Sequence, residues 1–385
     1  MAARDLPRQA VILVGGEGTR LRPITARVPK PVAPLVERPF VAYLLDLLVR
    51  HGVGRAVFSA GYLADAVARV IGDGREYGIE VAYAVEEEPL GTAGAVANCA
   101  TLLDDGAVFV FNGDVLSDVD LGALAALHRE RGATATLFLT PVDDPRRYGL
   151  VDIDETGRVR QFLEKPGEWE GRALINAGVY VLEPEVLELV PPGRLFSLER
   201  GVFPRLAQAG SLYGYVDDGY WRDIGTPESY LRAHFDVLER NVRTVVGEQL
   251  SEDYLYVAPS ATVADDARVV PPCYVADGAT VAAGARVGPL AVVGAGAFVG
   301  PGAEVSEAVL QREVEIGPHA QVRRSVLARA CVVGAGTQVS DAVLGEDCRV
   351  GAGNQLARGV CLWPDTVVPD GAIQFSDGLY GSGQP

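Results

Sequence analysis

The sequence predicts two folded parts, an α/β domain with a mainly parallel sheet followed by a left-handed parallel β-helix. Two observations lead to this prediction. Up to residue 238, short strand-like apolar runs alternate with segments of helical spacing, a pattern typical of α/β domains. From residue 257 onward, an aliphatic residue recurs at nearly every sixth position, which is typical of a solenoid built from hexapeptide repeats.

The composition limits the class of protein. The chain has 385 residues, enough for two or three domains, and a net charge of −17 that argues against general binding to nucleic acid or to an anionic membrane. Its five cysteines form no CxxC pair, so we expect free thiols in a reducing compartment and no zinc site. The first apolar run is too short for a signal peptide or a membrane span. We therefore expect a cytoplasmic protein.

The α/β domain is predicted to cover residues 1–238. We expect strands at 10–13, 56–59, 80–84, 108–112, 135–139, 151–153, 159–163 and 177–182, and helices at 41–49, 64–71, 93–102, 121–129 and 227–238. Ligands of open parallel sheets bind beyond the carboxyl ends of the strands. The loops at 15–31, 86–94 and 113–114 are therefore where we expect the chemistry.

A polar, weakly patterned linker is predicted at 239–255, the β-helix at 256–373, and a loose tail at 374–385. Valines recur at every sixth position from Val257 to Val305, and the count then slips by one at Leu310, Leu327 and Leu344. Each slip shortens one of the three sides of a coil from six positions to five. Cys331 and Cys348 are therefore expected to stack in adjacent coils.

The stretch 11–31 has the sequence VILVGGEGTRLRPITARVPKP. Its glycines, arginines and lysine favour a loop that surrounds an anion with backbone amides and cations. It does not match the dinucleotide-binding fingerprint, because Leu21 stands where a glycine is needed, and it lacks the lysine of a Walker A loop. Of the 34 basic residues, only Lys30 and Lys165 are lysines. Arginine carries a bulky, planar guanidinium group, whereas lysine carries a compact ammonium group. These two positions are therefore candidates for sites that a guanidinium group does not fit.

The motif GGEGTRLRP followed by VPKP resembles the signature of the sugar-1-phosphate nucleotidylyltransferases, and the resemblance covers nearly the whole chain. It implies a Rossmann-like nucleotidyltransferase core, which many members join to a β-helix. In this family a sugar 1-phosphate attacks the α-phosphorus of a nucleoside triphosphate and releases pyrophosphate. The nucleophile is already an anion, so catalysis requires alignment of two polyanions and neutralisation of the developing charge.

The resemblance also implies roles for particular residues. Backbone amides of the glycine-rich loop would cradle the triphosphate, Arg20 would hold the departing pyrophosphate, and Lys30 would lie at the α-phosphate. Asp114 in FVFNGDV and Asp223 in YWRDIGTP would hold Mg²⁺, which oxygen-only ligation suits. Lys165 in FLEKP completes the catalytic set by binding the sugar 1-phosphate. The nucleotide-binding positions are Val14, Gly15, Gly16, Gly18, Thr19, Glu86, Pro89, Gly91, Thr92, Asn112 and Gly113.

Sugar and base recognition follow from the same resemblance. The sugar phosphate is expected at Tyr148, Gly149, Glu164, Lys165, Asn176 and Gly178. Glu86 stands where members selective for thymidine or uridine nucleotides carry glutamine. An ionised carboxylate only accepts hydrogen bonds, so Glu86, or alternatively Glu87, could accept both N1–H and the 2-amino group of guanine. The loop VEEEPLGTAG most resembles the guanylyltransferases that use GTP and mannose 1-phosphate.

Three other functions fit parts of the sequence. The same chemistry could use another nucleotide (dTTP, ATP or UTP) and another hexose or cyclitol 1-phosphate. The β-helix could transfer an acyl group, although His319 is its only histidine. The chain could also be a regulatory paralogue that senses nucleotide sugars, although the predicted catalytic residues are all present. The repetitive faces of a β-helix suit assembly, so we expect a homo-oligomer.

Overall fold

The computed structural model of the chain describes residues 6–61, 64–165, 167, 169 and 171–374, so the predicted tail from residue 375 lies outside the described residues. The chain forms two compact units. The first comprises the described residues up to Glu17, Pro29–Val32 and Pro39–Ile224. The second comprises Gly18–Val28, Ala33–Arg38 and the described residues from Gly225 onward.

The strands before residue 225 are β1 (Gln9–Leu13), β2 (Pro34–Leu35), β3 (Arg38–Pro39), β4 (Arg55–Ala60), β5 (Glu80–Val85), β6 (Val108–Asn112), β7 (Val115–Ser117), β8 (Ala135–Val142), β9 (Gly149–Ile153), β10 (Val159–Glu164), β11 (Ala173–Leu182), β12 (Leu212–Val216) and β13 (Trp221–Asp223). The α-helices are α1 (Phe40–Arg50), α2 (Ala64–Ile71), α3 (Gly91–Asn98), α4 (Leu121–Arg131), α5 (Phe203–Ala209), α6 (Pro227–Leu238) and α7 (Val245–Gln249). Short 3-10 turns occur at Thr19–Leu21, Lys30–Val32, Arg75–Tyr77, Ala100–Leu102 and Pro184–Leu189, and a π-turn at Leu198–Val202.

The main sheet of the first unit has the strand order β10-β9-β11-β6-β1-β4-β5, and β8 and β12 extend it from β11. Strands β6, β1, β4 and β5 are parallel, whereas β11 runs antiparallel to β6. Leu13 at the end of β1 is in register with both Ser59 and Asn112. The carboxyl ends of the parallel strands therefore align, and the loops that follow them emerge at one edge of the sheet.

Local sequence explains where the elements of this unit begin and end. Strand β1 is almost fully buried, as expected for the centre of a parallel sheet covered on both faces. Helix α4 begins after Asp120, whose side chain accepts a hydrogen bond from Ala123 N (3.0 Å), and ends at Gly132 in the left-handed conformation. The predicted α/β class of this part is confirmed.

The β-helix of the second unit has three parallel sheets. The first contains β14 (Leu255–Val257), β17 (Cys273–Val275), β20 (Ala291–Val293), β23 (Ala308–Leu310), β26 (Val326–Leu327), β29 (Val343–Leu344) and β32 (Cys361–Leu362). The second contains β15 (Thr262–Val263), β18 (Thr280–Val281), β21 (Phe298–Val299), β24 (Glu315–Ile316), β27 (Val332–Val333), β30 (Arg349–Val350) and β33 (Val367–Val368). The third contains β16 (Arg268–Val269), β19 (Arg286–Val287), β22 (Glu304–Ser306), β25 (Gln321–Arg323), β28 (Gln338–Ser340) and β31 (Gln355–Leu356).

The three parallel sheets are consistent with the predicted left-handed β-helix, and their register confirms the slips. Val275 pairs with Val293, and Val293 pairs with Leu310. The coil from Val293 to Leu310 is therefore one residue shorter than the coil from Val275 to Val293, as the slip at Leu310 predicts. The aliphatic residues of the repeat form the core and are buried from Val275 to Leu356. Val257 is 37% exposed because it lies in the first coil, which has no preceding coil to cover it. The register also stacks the buried Cys331 against Cys348, as predicted.

The segment 239–255 contains helix α7, which begins at the capping residue Thr244. In the part of the chain that the structure describes, we find no helix with the length and apolarity required to cross a membrane.

Candidate active site

Lys30 and Asp114 form an ion pair in the first unit. Lys30 lies in the turn Lys30–Val32, and its Nζ is 2.9 Å from Asp114 Oδ2. The lysine side chain is only 10% exposed, whereas that of Asp114 is 37% exposed. A buried ammonium needs a partner of opposite charge, and Asp114 provides it. The structure therefore brings together a predicted phosphate-binding cation and a predicted metal ligand.

Asp223 is held next to Asp114 by a small antiparallel pair of strands. Strands β7 and β13 place Asp223 opposite Val115, the residue after Asp114. Ile224 N also donates to Asp114 O (3.0 Å), which fixes the two backbones side by side. The backbones of the two aspartates, although distant in sequence, thus lie next to each other.

These two carboxylates suit a hard divalent cation. They offer only oxygen ligands, which Mg²⁺ and similar ions prefer. Among the described residues, no group of three or more His, Cys, Asp and Glu side chains is arranged to hold a metal. An ion bound by Asp114 and Asp223 would therefore take its other ligands from water and from phosphate oxygens.

Close contacts explain two of the predicted glycines. A methyl group at Gly113 would lie 2.6 Å from Leu13 O, and Gly113 N donates to the same oxygen (2.9 Å). A methyl group at Gly15 would lie 3.2 Å from Glu86 Oε1. Gly16 is exposed and has no neighbour that a methyl group would meet within 4 Å in the part of the chain described. Gly16 therefore leaves open space for a ligand.

The loop itself is divided between the two units. Val14, Gly15 and Gly16 belong to the first unit, and Val14 N donates to Ser59 O (2.9 Å). Gly18, Thr19 and Arg20 belong to the second unit. Gly18 has a φ of +62°, which lets the chain enter the turn Thr19–Leu21. The side chains of Thr19 and Arg20 are exposed.

Glu86 follows β5 and is half-buried, with both carboxylate oxygens engaged. Ser59 Oγ donates to Oε1 (2.8 Å) and Leu90 N donates to Oε2 (3.1 Å). These bonds fix the orientation of the carboxylate at the sheet edge. A carboxylate has about four acceptor positions, so Glu86 can accept further bonds. Glu87, the alternative base-reading residue, is exposed.

Gly91 and Thr92 are tied to the segment 196–199. Gly91 has a φ of +71°, and a methyl group there would lie 2.7 Å from Phe196 O. Thr92 Oγ1 donates to Glu199 Oε2 (2.6 Å) and accepts from Leu198 N (2.8 Å). Both residues therefore have roles in packing the start of α3, whereas Pro89 is exposed.

The predicted sugar-phosphate residues of β9 and β10 lie together. Gly149 is in register with Glu164, and a methyl group on it would lie 3.0 Å from Glu164 Oε2. Lys165 N donates to Tyr148 O (3.1 Å), while Lys165 Nζ lies 3.5 Å from Glu164 Oε1 and its side chain is 60% exposed. Lys165 is therefore a cation at the surface, unlike the buried Lys30.

Asn176 and Gly178 form an irregular step in β11. Asn176 Nδ2 donates to Tyr180 Oη (2.9 Å) and Oδ1 accepts from Gly178 N (3.1 Å). Burial raises the pKa of Tyr180 well above its ordinary value, so the phenol stays protonated. Gly178 has a φ of +77° and lies close to Asn112, whose buried Oδ1 has no hydrogen-bond partner among the described residues. A buried acceptor without a partner calls for a donor, such as a water molecule or a ligand group.

Sequence reasoning missed the residues that support this site. Trp221 Nε1 donates to Ala177 O (2.8 Å), and its ring meets Tyr148 edge-on at 5.3 Å, so it links the predicted sugar residues to the strand of Asp223. Its place in the motif YWRD was the available signal. Ser59, which orients Glu86, and Glu199, which holds Thr92, had no signal because their partners are distant in sequence.

Comparisons with known proteins identify the family to which the chain belongs. Residues 9–240 match the family model "Nucleotidyl transferase", and residues 269–373 match "GMPPB C-terminal domain". A mannose-1-phosphate guanylyltransferase from Mycobacterium tuberculosis is 44% identical over 66% of this chain and 72% of its own length. Mannose-1-phosphate guanyltransferase from Eremothecium gossypii is 39% identical over 58% of this chain and 63% of its own length.

Solved structures give the same result. The structure of HddC from Yersinia pseudotuberculosis in complex with GMP-PN is 32% identical, with a TM-score of 0.52. The match covers 59% of this chain and 98% of the HddC chain. With the family model spanning residues 9–240 and a curated relative covered over 72% of its length, the chain belongs to the nucleotidyl transferase family.

Proposed function

We propose that the chain transfers a guanylyl group from GTP to mannose 1-phosphate, giving GDP-mannose and pyrophosphate. Membership of the nucleotidyl transferase family and the names of the relatives support this proposal. The observation that carries it is the 2.9 Å pair between Lys30 Nζ and Asp114 Oδ2. This pair joins a cation for the phosphates to a carboxylate for a metal ion, the two features on which nucleotidyl transfer depends.

The proposed reaction is an in-line displacement. An oxygen of the sugar phosphate forms a bond to the α-phosphorus of GTP as the bond from that phosphorus to the β-bridging oxygen breaks. Pyrophosphate leaves with the electron pair, and no proton has to be removed because the nucleophile is an anion. The residues of the protein orient the reactants and neutralise charge. In this scheme Lys30 holds the α-phosphate and Arg20 holds the departing pyrophosphate.

Members of this family generally use a divalent metal ion, and we propose that it is Mg²⁺ held by Asp114 and Asp223. Such an ion supplies positive charge to the phosphate oxygens. The oxygen-only ligands and the adjacent backbones of the two aspartates support the assignment. Lys30, which already pairs with Asp114, would share that carboxylate with the ion.

We propose that Glu86 accepts the N1–H and 2-amino groups of guanine. Its carboxylate is fixed by Ser59 and Leu90 N, so the acceptor geometry is set before a base arrives. The bound GMP-PN of the HddC structure, a protein that shares this fold, is consistent with a guanine nucleotide. Thymine and uracil present acceptors beside a single donor, which an ionised carboxylate repels.

The sugar 1-phosphate is proposed to bind between Tyr148, Glu164, Lys165 and Asn176. Lys165 Nζ is close to Glu164 and exposed, so it can turn towards a phosphate. Glu164 would then accept from sugar hydroxyls. The edge contact of Trp221 with Tyr148 supports this placement, since it joins these residues to the strand that carries Asp223.

We also propose that the protein acts in the cytoplasm as a homo-oligomer. All five cysteines are free thiols, and only Cys361 is exposed, which fits a reducing compartment. The regular faces of the β-helix offer surfaces for assembly.

A matrix of pyrophosphate release tests the proposed function. The common nucleoside triphosphates would be paired with mannose, glucose and cyclitol 1-phosphates. We expect GTP with mannose 1-phosphate to be preferred by at least about tenfold in kcat/KM. Equal turnover of UTP or dTTP would contradict guanine selectivity. Retained pyrophosphate release in both Lys30→Ala and Asp114→Asn would contradict the assigned catalytic site.

A further inference from the structure

Residues Gly18–Val28, which include Arg20, pack in the same compact unit as the β-helix. Arg27, near the end of this segment, contacts two carboxylates of the β-helix. Its Nη1 lies 2.9 Å from Asp347 Oδ2, and its Nη2 is paired with Asp365 Oδ2. One guanidinium therefore connects the segment to two successive coils.

Asp347 and Asp365 occupy the same corner of neighbouring coils. Each adopts a left-handed conformation, with φ of +59° and +62°, which aspartate tolerates better than most residues. Asp365 N donates to Glu346 O, so the two corners stack directly. Like charges stacked on adjacent strands repel each other, and a cation between them removes that repulsion. The hydrogen bond with Asp365 is the main reason that the pKa of Arg27 is raised.

Hydrogen bonds within Gly18–Val28 connect the part of the segment near Arg27 to the part that carries Arg20. Leu21 N donates to Gly18 O (3.0 Å), and Thr25 Oγ1 donates to the same oxygen (2.7 Å). Leu21 and Thr25 are buried, and helix α6 packs against the turn Thr19–Leu21. A shift of Arg27 therefore changes the position of the backbone that carries Arg20.

A second attachment lies on the other side of Lys30 in the sequence. Glu37 Oε2 accepts a hydrogen bond from Ala295 N (3.0 Å) in an earlier coil. The β-helix thus contacts both segments that flank Pro29–Val32 in the chain. Arg27 differs from Glu37 in that its contact is an ion pair at the surface, with a side chain 40% exposed. It can be removed without opening a buried site.

We propose that Arg27, held by Asp347 and Asp365, is a positioning residue for Arg20 in the proposed binding of pyrophosphate. This inference rests on the proposed function, in which Arg20 holds the leaving pyrophosphate. In that scheme Arg20 is assigned to pyrophosphate, so we expect loss of the Arg27 contact to weaken the interaction with pyrophosphate more than that with GDP-mannose. An ordinary surface ion pair contributes little to stability, so this role is separable from a structural one.

The test compares Arg27→Ala with Arg324→Ala in the full-length protein. Arg324 forms a matched surface pair with Asp341, at 2.6 and 2.7 Å, on the β-helix alone. In the reverse reaction, we expect Arg27→Ala to raise the KM for pyrophosphate about tenfold, with the KM for GDP-mannose changed less than about twofold. Arg324→Ala should change neither. The charge exchange of Arg27→Asp with Asp365→Arg should recover part of the loss.

Hydrogen exchange gives an activity-independent measurement. We expect the hydrogen-bonded amides of Leu21 and Ala26 to exchange faster in Arg27→Ala than in wild type, and to be unchanged in Arg324→Ala. An unchanged KM for pyrophosphate, or equal rises for both substrates, would overturn the positioning role. If the wild-type protein does not use GDP-mannose, the proposed function fails. In that case, calorimetric titration of pyrophosphate into wild type and Arg27→Ala tests the positioning role. Equal affinities of the two proteins for pyrophosphate would overturn it.

Discussion

Lys30 Nζ lies 2.9 Å from Asp114 Oδ2, and this pair joins a turn near the N-terminus to the end of strand β6. The ammonium is almost completely enclosed, which leaves little room for a larger cation. This explains in physical terms why one of only two lysines in a chain with 34 basic residues stands here. A compact ammonium can approach both a carboxylate and a phosphate, whereas a planar guanidinium needs more space.

Replacement of Lys30 by either methionine or arginine should therefore abolish most activity. We expect kcat for pyrophosphate release to fall about 10²–10³-fold in both variants, because a preorganised charge at the reacting phosphate is lost or displaced. The control is Arg131→Lys, at the exposed end of α4, which should retain full activity. Wild-type activity in Lys30→Arg would show that positive charge alone is sufficient.

Glu86→Gln should reduce the selectivity for guanine. A glutamine amide offers one donor and one acceptor in place of two acceptors, so it no longer matches N1–H and the 2-amino group. We expect kcat/KM for GTP to fall about 10–100-fold relative to that for UTP. Glu87→Gln is the matched control, since Glu87 is exposed at the next position along the chain. A larger loss in Glu87→Gln would assign base recognition to that residue.

Gly178→Ala should destabilise the first unit more than Gly132→Ala. Both glycines have positive φ, +77° and +55°, but only Gly178 has a close neighbour, with Asn112 Nδ2 2.8 Å from an added methyl group. Strain alone should cost about 1 kcal/mol at Gly132. The added contact should bring the loss to about 2–3 kcal/mol at Gly178. Midpoints of thermal unfolding measured under one set of conditions provide the comparison, and equal midpoints would contradict it.

The free energy of unfolding should fall as the pH is lowered from neutral to about 4. Burial lowers the pKa of His234 from its ordinary value of 6.5 to about 4. Between these values the unfolded chain binds a proton that the folded chain does not, so acid favours unfolding by up to about 3 kcal/mol. Above the ordinary pKa both states are neutral, and this contribution to the pH dependence vanishes.

Unfolding by denaturant at a series of pH values measures this effect. His234→Gln should flatten the acid slope, because the titrating group is removed while an amide can still donate to Tyr230 O. His319→Gln, at an exposed corner of the β-helix, is the control and should keep the wild-type slope. An unchanged slope in His234→Gln would show that other groups determine the acid sensitivity.

The sequence predicted the fold well because its patterns are local. Each aliphatic position of the β-helix is set by the hexapeptide period, and the slip at Leu310 appears in the register as the shortened step from Val293 to Leu310. Helix Pro227–Leu238 has the predicted bounds because Thr226 caps it and Pro227 begins it. The position of Asp114 at the end of a parallel strand also follows from local pattern.

The remaining features depend on contacts between residues far apart in sequence. Nothing near Glu86 indicates that Ser59 orients it, and nothing near Thr92 indicates that Glu199 binds its hydroxyl. Side-chain direction and partner choice are decided by packing, which local propensity does not encode. The contact of Arg27 with Asp365, which lies in a late coil of the β-helix, is the extreme case.

The division of the signature loop between two compact units limits how such a chain can be shortened. The first unit ends at Ile224, and the rest of the described chain belongs to the second unit. Two earlier segments, Gly18–Val28 and Ala33–Arg38, also belong to the second unit. A fragment that ends at residue 224 would retain these segments but lose the partners of Arg27 and Glu37. Removal of the β-helix would therefore leave the segment that carries Arg20 without these two contacts, so a shortened chain would need another way to hold it.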